Sequence, residues 1–153
     1  MNTPKRVLLV DDDSDVIRGA SLWLRAAGYE TIAASDGHEA LATAASQCPD
    51  AIVLDVRMPV MDGLQALAEL KRRDDTRRIP IVMLSASLID QQQALDGGAR
   101  FFLSKPYVGK ELVSAVSAAI ASPDPRTEIA QTDASQLSRS VEPCRAHAIP
   151  ILP

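Results

Sequence analysis

The feature that most constrains this chain is the stretch 51–63, A-I-V-L-D-V-R-M-P-V-M-D-G, where an apolar run stops at a carboxylate and then turns into a helical pattern. Ala51, Ile52, Val53 and Leu54, bounded by Pro49 and Pro59, suit a strand buried on both faces, the habit of a central strand in a parallel sheet. Asp55 then stands at the carboxyl end of that strand. In open α/β sheets ligands bind at the carboxyl ends of strands, so an acid placed there is read as chemistry before stability.

The same pattern recurs along the chain. Val7, Leu8, Leu9 and Val10 form an apolar run that ends in Asp11, Asp12 and Asp13. A helix follows from Ser14, with Val16, Ala20, Trp23 and Ala27 on one face and Gly28 as its stop, and Asp13 or Ser14 as its cap. Trp23 is expected in the core. Residues 29–34 mix apolar and polar side chains, as an edge strand does, and the Ala-rich stretch 37–47 is helical. Leu64, Leu67, Ala68 and Leu70 mark a third helix ending in Lys71, Arg72 and Arg73, basic residues that complement the helix dipole. The apolar run 79–84 ends in Ser85, a helix spans about 88–95, and Phe101, Phe102 and Leu103 form a last strand running into Ser104, Lys105 and Pro106. A closing helix over about 108–121 carries Leu112, Val113, Val116 and Ile120 on one face. Five strands alternating with five helices imply a parallel sheet of right-handed crossovers, with the second and fifth strands at the edges.

A parallel sheet brings Asp11, Asp12, Asp55, Ser85 and Lys105 to one edge. Two carboxylates about 4 Å apart repel by roughly 4 kcal/mol at an effective dielectric near 20, so three in mutual contact cost on the order of 12 kcal/mol. One lysine does not cancel that. Either some of the acids are protonated or a divalent cation sits among them, and a hard ion that bridges carboxylate to phosphate describes Mg²⁺. With Mg²⁺ in place the residues suit phosphoryl transfer: Asp55 as nucleophile, Lys105 and Ser85 on the phosphoryl oxygens, and Asp11 and Asp12 as metal ligands.

Four motifs carry a resemblance to the receiver domain of two-component response regulators over residues 5–121. They are V-D-D-D at 10–13, L-D-V-R-M-P-V-M-D-G at 54–63, L-S-A at 84–86 and G-A-R-F-F-L-S-K-P at 98–106. The resemblance implies a doubly wound, flavodoxin-like α/β fold with strand order 2-1-3-4-5. It implies that Asp55 accepts a phosphoryl group, in the presence of Mg²⁺, from a histidine kinase or phosphotransfer protein. By position it makes Asp11 and Asp12 the acidic pair, Ser85 the switch hydroxyl and Lys105 the site lysine. Arg57 becomes the residue whose backbone carbonyl completes the metal shell, and Phe102 the aromatic that moves inward when Ser85 turns. It further implies a cis Lys105–Pro106 bond and an influence of Arg57 and Ser87 on the lifetime of the phosphoryl group.

The rest of the chain narrows the class. With 153 residues, a net charge of −4 and a pI near 5.1, the chain has room for one domain and lacks the basic balance of a general nucleic-acid binder. Cys48 and Cys144 have neither metal-ligand spacing nor the number of a disulfide framework, and the N-terminal apolar run is too short for a signal peptide or membrane span. A cytoplasmic protein is expected. Residues 1–121 read as the receiver and 122–153, with five prolines, as a disordered tail. The expected protein is a stand-alone receiver, not an enzyme beyond its own phosphorylation and dephosphorylation. Its output is contact with a target protein or a homodimer through the fourth helix, fifth strand and fifth helix. The alternative is a phosphatase of the haloacid dehalogenase type, disfavoured because its nucleophile lies on the first strand in D-x-D-x-T. A flavodoxin-like carrier would need a Ser/Thr/Gly-rich phosphate loop after the first strand, where this chain has D-D-D-S. His38 and His147 are read as solvated, and Asp62 as a cap.

Overall fold

Strands and helices alternate along residues 3–121, the part of the chain described by the computed structural model. In order they are β1 (Arg6–Val10), α1 (Ser14–Ala26), β2 (Glu30–Ala34), α2 (Gly37–Gln47), β3 (Ala51–Asp55), α3 (Gly63–Arg72), β4 (Ile81–Ser85), α4 (Ile89–Asp96), β5 (Phe101–Ser104) and α5 (Gly109–Ala121). The strands form one parallel sheet in the order β2-β1-β3-β4-β5, as expected, with β2 and β5 at its edges. The tail, with His147, lies outside the described residues.

Successive side chains of a strand point to opposite faces, and in the three central strands both faces are covered. Leu8, Val10, Ile52, Leu54, Ile81 and Met83 pack with residues of α2, α3 and α4. Val7, Leu9, Ala51, Val53, Val82 and Leu84 pack with Ala20 and Leu24 of α1 and with Leu112, Val116 and Ala119 of α5. Each fully buried Leu or Ile stabilises the fold by roughly 2 kcal/mol relative to exposure. That is why β3 and β4 carry no polar residue until their last position and β1 carries none after Arg6.

The helix faces need corrections. In α1 the buried residues are Ala20, Ser21 and Leu24, with Ile17 packed against them, so Ala27 is exposed and Trp23 is 45% exposed instead of core. Residues 17, 20, 21 and 24 have the i, i+3, i+4, i+7 spacing, and Ser21 is accommodated by a 2.7 Å hydrogen bond between its Oγ and Thr31 Oγ1 on β2. Trp23 instead lies across the start of α5, where a Cβ on Gly109 would collide with the indole. In α3 Ala68 is exposed, and Gly63, Ala66, Leu67 and Leu70 are buried. Cys48 ends α2 in a left-handed conformation (φ 50°). Cys144 lies outside the described residues.

Candidate functional site

Register builds the site. Val10 pairs with Leu54, Asp55 with Leu84 and Ser85 with Ser104, so the next residues of neighbouring strands arrive side by side. The ladder continues past the strands: Asp11 N–H donates to Ala34 O at 3.2 Å, Val56 N–H to Leu84 O at 3.0 Å and Lys105 N–H to Ser85 O at 2.9 Å. Asp11, Asp12, Asp55, Ser85 and Lys105 thus meet at the carboxyl edge of the sheet, as the strand ends predicted. The Lys105–Pro106 bond is cis.

Two turns fix these positions. Asp13 caps α1 by accepting from Asp15 N–H at 2.9 Å, which frees Asp11 and Asp12 from capping. Asp62 caps α3 in a capping box with Gln65, as its place in the sequence suggested. Gly63 donates its N–H to Val56 O at 2.8 Å and sits so close to β3 that a Cβ there would collide with the Asp55 carbonyl oxygen. The backbone of Asp55 is therefore clamped from behind.

Asp55 is 4% exposed and Asp11 5%, whereas Asp12 faces solvent. One carboxylate oxygen from each of the three lies within 4.8 Å of the others. Lys105 Nζ is 2.7 Å from Asp55 Oδ1 and 3.5 Å from Asp11 Oδ2. Burial pushes the Asp55 carboxyl above the ordinary carboxylate value, against the hydrogen bond from Lys105 that pulls it down. Asp11 is likewise raised by burial, and the N–H of Asp13 opposes this at 2.9 Å. For Lys105 burial acts downward, but the bond and charge of Asp55, joined by Asp11, outweigh it and raise the ammonium.

Three carboxylates thus share a single ammonium. Asp11 Oδ2, though buried, has no hydrogen-bond partner among the described residues. A buried carboxylate oxygen with no hydrogen bond, only the Lys105 ammonium 3.5 Å away, and a set of convergent oxygens are what a hard, oxygen-seeking cation accepts. The residues present fit Mg²⁺.

Ser85 reaches the same edge but is engaged elsewhere. Its Oγ donates to Asp90 Oδ2 at 2.6 Å and accepts from Ser87 N–H at 3.0 Å. Asp90, in the first turn of α4, is 4% exposed and also meets Arg57 Nη2 at 3.2 Å. Sequence reasoning missed Asp90. Its only sequence signal is an acid five residues after Ser85 at a helix start, where acids ordinarily serve the helix dipole. Phe102, on β5, is partly buried against the core formed with α2, α3 and α4. Lys105 and Trp23 border a cleft of about 540 Å³ between α1 and the β5–α5 connection, lined also by Val16, Pro106 and Tyr107. Burial raises the Tyr107 phenol above its ordinary value, while the charge of Lys105 opposes the shift. His38 is exposed, as expected.

Comparison with known proteins places this geometry. The family model described as the response regulator receiver domain matches residues 7–117. The transcriptional regulatory protein PrrA of Mycobacterium tuberculosis is 46% identical over 118 residues, covering 76% of this chain and 50% of PrrA. The chain spans about half the length of the curated relatives it matches. A putative response regulator of Chloroflexus aurantiacus superposes with a TM-score of 0.76 at 34% identity, covering 78% of this chain and 100% of that one. The receiver domain of sensor histidine kinase PA1611 from Pseudomonas aeruginosa, with a magnesium ion coordinated in its active-site cleft, gives a TM-score of 0.73 at 33% identity over 78% of this chain and 100% of its own. The chain belongs to the response regulator receiver domain family of two-component signalling.

Proposed function

We propose that Asp55 is the phosphoacceptor and that residues 3–121 act as a Mg²⁺-dependent signalling switch. The observation that carries this reading is the placement of Asp55: a buried carboxylate at the end of a central strand, 2.7 Å from a lysine ammonium and beside two further acids. In the transfer, an Asp55 carboxylate oxygen forms a bond to phosphorus while the bond from phosphorus to the donor breaks. For a histidine kinase or phosphotransfer protein the leaving group is the imidazole nitrogen of a phosphohistidine.

Asp11, Asp12, Asp55 and the backbone carbonyl of Arg57 hold Mg²⁺ in this reading. The bound ion supplies positive charge to the phosphoryl oxygens. Lys105 moves from carboxylate pairing to a phosphoryl oxygen, and the Ser85 hydroxyl turns to donate to another. Phe102 follows Ser85 inward. The chain's own catalysis is limited to its phosphorylation and the hydrolysis of the resulting acyl phosphate. The haloacid dehalogenase reading is set aside because the family match is to a receiver and the buried acceptor ends β3, not β1.

Output passes through α4, β5 and α5, where Leu88, Ile89, Leu95 and Val108 are exposed, to a target protein or a second copy in a homodimer. Recognition is by protein contact and not by direct contact with nucleic acid. Among the described residues no helix is long and apolar enough to cross a membrane. We assign the switch to the cytoplasm, where the ATP that charges histidine kinases is found. Intact mass after incubation with acetyl phosphate tests the central role. A single adduct that requires Mg²⁺ and is absent from Asp55→Asn supports it; an adduct unchanged by that substitution contradicts it.

A further inference from the structure

The polar contacts of Ser85 run toward α4. A single carboxylate, Asp90, accepts the Ser85 hydroxyl at 2.6 Å through Oδ2 and meets Arg57 Nη2 at 3.3 Å through Oδ1 and 3.2 Å through Oδ2. It therefore joins the end of β4 to the loop that follows Asp55. An acid that only complements a helix dipole stands in solvent, whereas Asp90 is 4% exposed. Its helix has little else to hold it. The start at Leu88 has no side-chain cap, and Asp90 and Ala94 are its only buried residues.

We propose that Asp90 is a latch: a positioning residue that holds the switch hydroxyl away from Asp55 and moves α4 when the hydroxyl leaves. The inference rests on the assignment of Asp55 as phosphoacceptor. A serine hydroxyl has one proton to donate. It serves Asp90 or a phosphoryl oxygen on Asp55, not both. The two bonds exclude each other, and by linkage each weakens the other by the same factor. Once Ser85 turns away, a buried carboxylate has lost a donor, a state that is costly until the group finds water or another partner. Asp90 reaches water by shifting the first turn of α4. Arg57, with 71% of its side chain exposed, remains as the tether that limits the shift.

A double-mutant cycle on the full chain tests the latch, using beryllofluoride with Mg²⁺ as the phosphoryl mimic and fluorine NMR of the bound ligand as the readout. Asp90→Ala binds beryllofluoride about tenfold more tightly than the native chain, the scale expected when a hydrogen bond to a charged acceptor no longer competes. In a Ser85→Ala background the same substitution changes affinity by less than about twofold, because no hydroxyl is left to release. Asp90→Asn, which keeps an accepting oxygen, falls between the native chain and Asp90→Ala. It also supplies the comparison if the alanine variant does not fold. Equal effects of the Asp90 substitution in both backgrounds, or weaker binding by folded Asp90 variants, would overturn the latch alone. Native chain that binds no beryllofluoride, or binds it equally in Asp55→Asn, would overturn the Asp55 assignment and the latch with it.

Discussion

α3 and α4 each follow a central strand that ends in a site residue, Asp55 for one and Ser85 for the other, yet they are held differently. α3 begins on a capping box, buries Gly63, Ala66, Leu67 and Leu70, and presses its first residue against the Asp55 carbonyl. α4 lacks a side-chain cap, buries only Asp90 and Ala94, and leaves Ile89 and Leu95 exposed beside Leu88. The first helix is part of the frame that fixes the acceptor. The second buries a single apolar side chain, Ala94, and makes a polar contact through Asp90 to Ser85, the residue proposed to move. A switch needs both: a rigid site at which phosphorylation is costly to misplace, and a neighbouring element whose position responds at low free-energy cost.

The sharpest way to break this contrast is to damage the frame. Gly63→Val forces a side chain into the Asp55 carbonyl and the Val56 backbone, and it is expected to destabilise the domain by about 3 kcal/mol or more in urea unfolding. Phosphorylation of the remaining folded fraction falls with it. A Gly63→Val protein of native stability would show that α3 is not clamped to β3.

Next in size is the electrostatic cost of the site itself. Asp55 and Asp11 bind protons more readily folded than unfolded, since both are raised from 3.8 by burial. Their stabilising contribution is complete below that ordinary value and is lost as pH rises through the raised one. Without Mg²⁺, Asp55→Asn should therefore melt higher than the native chain near neutral pH, with the difference shrinking toward pH 4. Added Mg²⁺ narrows the gap by stabilising the native chain more. A difference independent of pH would contradict the assignment of strain to the carboxylates.

The cap comes third. Asp62→Ala removes the capping box and is expected to cost about 1 kcal/mol, measured by the same urea titration. The smallest effect belongs to α4: Ile89→Ser, on an exposed side chain, should change stability by less than about 0.5 kcal/mol while weakening any partner or self-association read at that face. A larger loss of stability there would mean that α4 is held by its apolar residues and not through Asp90.

Much of this arrangement was legible before the fold was known, for physical reasons that also mark where legibility stopped. Val7 to Val10 and Ala51 to Leu54 are apolar throughout because both faces of their strands are covered, and the first polar residue of each marks the sheet edge. Parallel register then brings Asp11, Asp55 and Lys105 together whatever their distance along the chain. The face of α1 was ambiguous, because Val16, Ala20, Trp23 and Ala27 are spaced as helically as Ile17, Ala20, Ser21 and Leu24. Only contact with the sheet, and a glycine at 109 that leaves room for the indole, decides between them. Asp90 was not legible, since its burial depends on how α4 lies against β4. The likeness to receiver motifs placed the phosphoacceptor candidate but carried no trace of the contact that engages Ser85.

The most direct measurement is amide hydrogen exchange of the native chain with and without a phosphoryl group on Asp55, compared over the peptides that span α3 and α4. The account predicts a change in exchange concentrated in α4 and the β4–α4 connection, with α3 unaltered. Equal changes in both helices, or a change confined to α3, would contradict it.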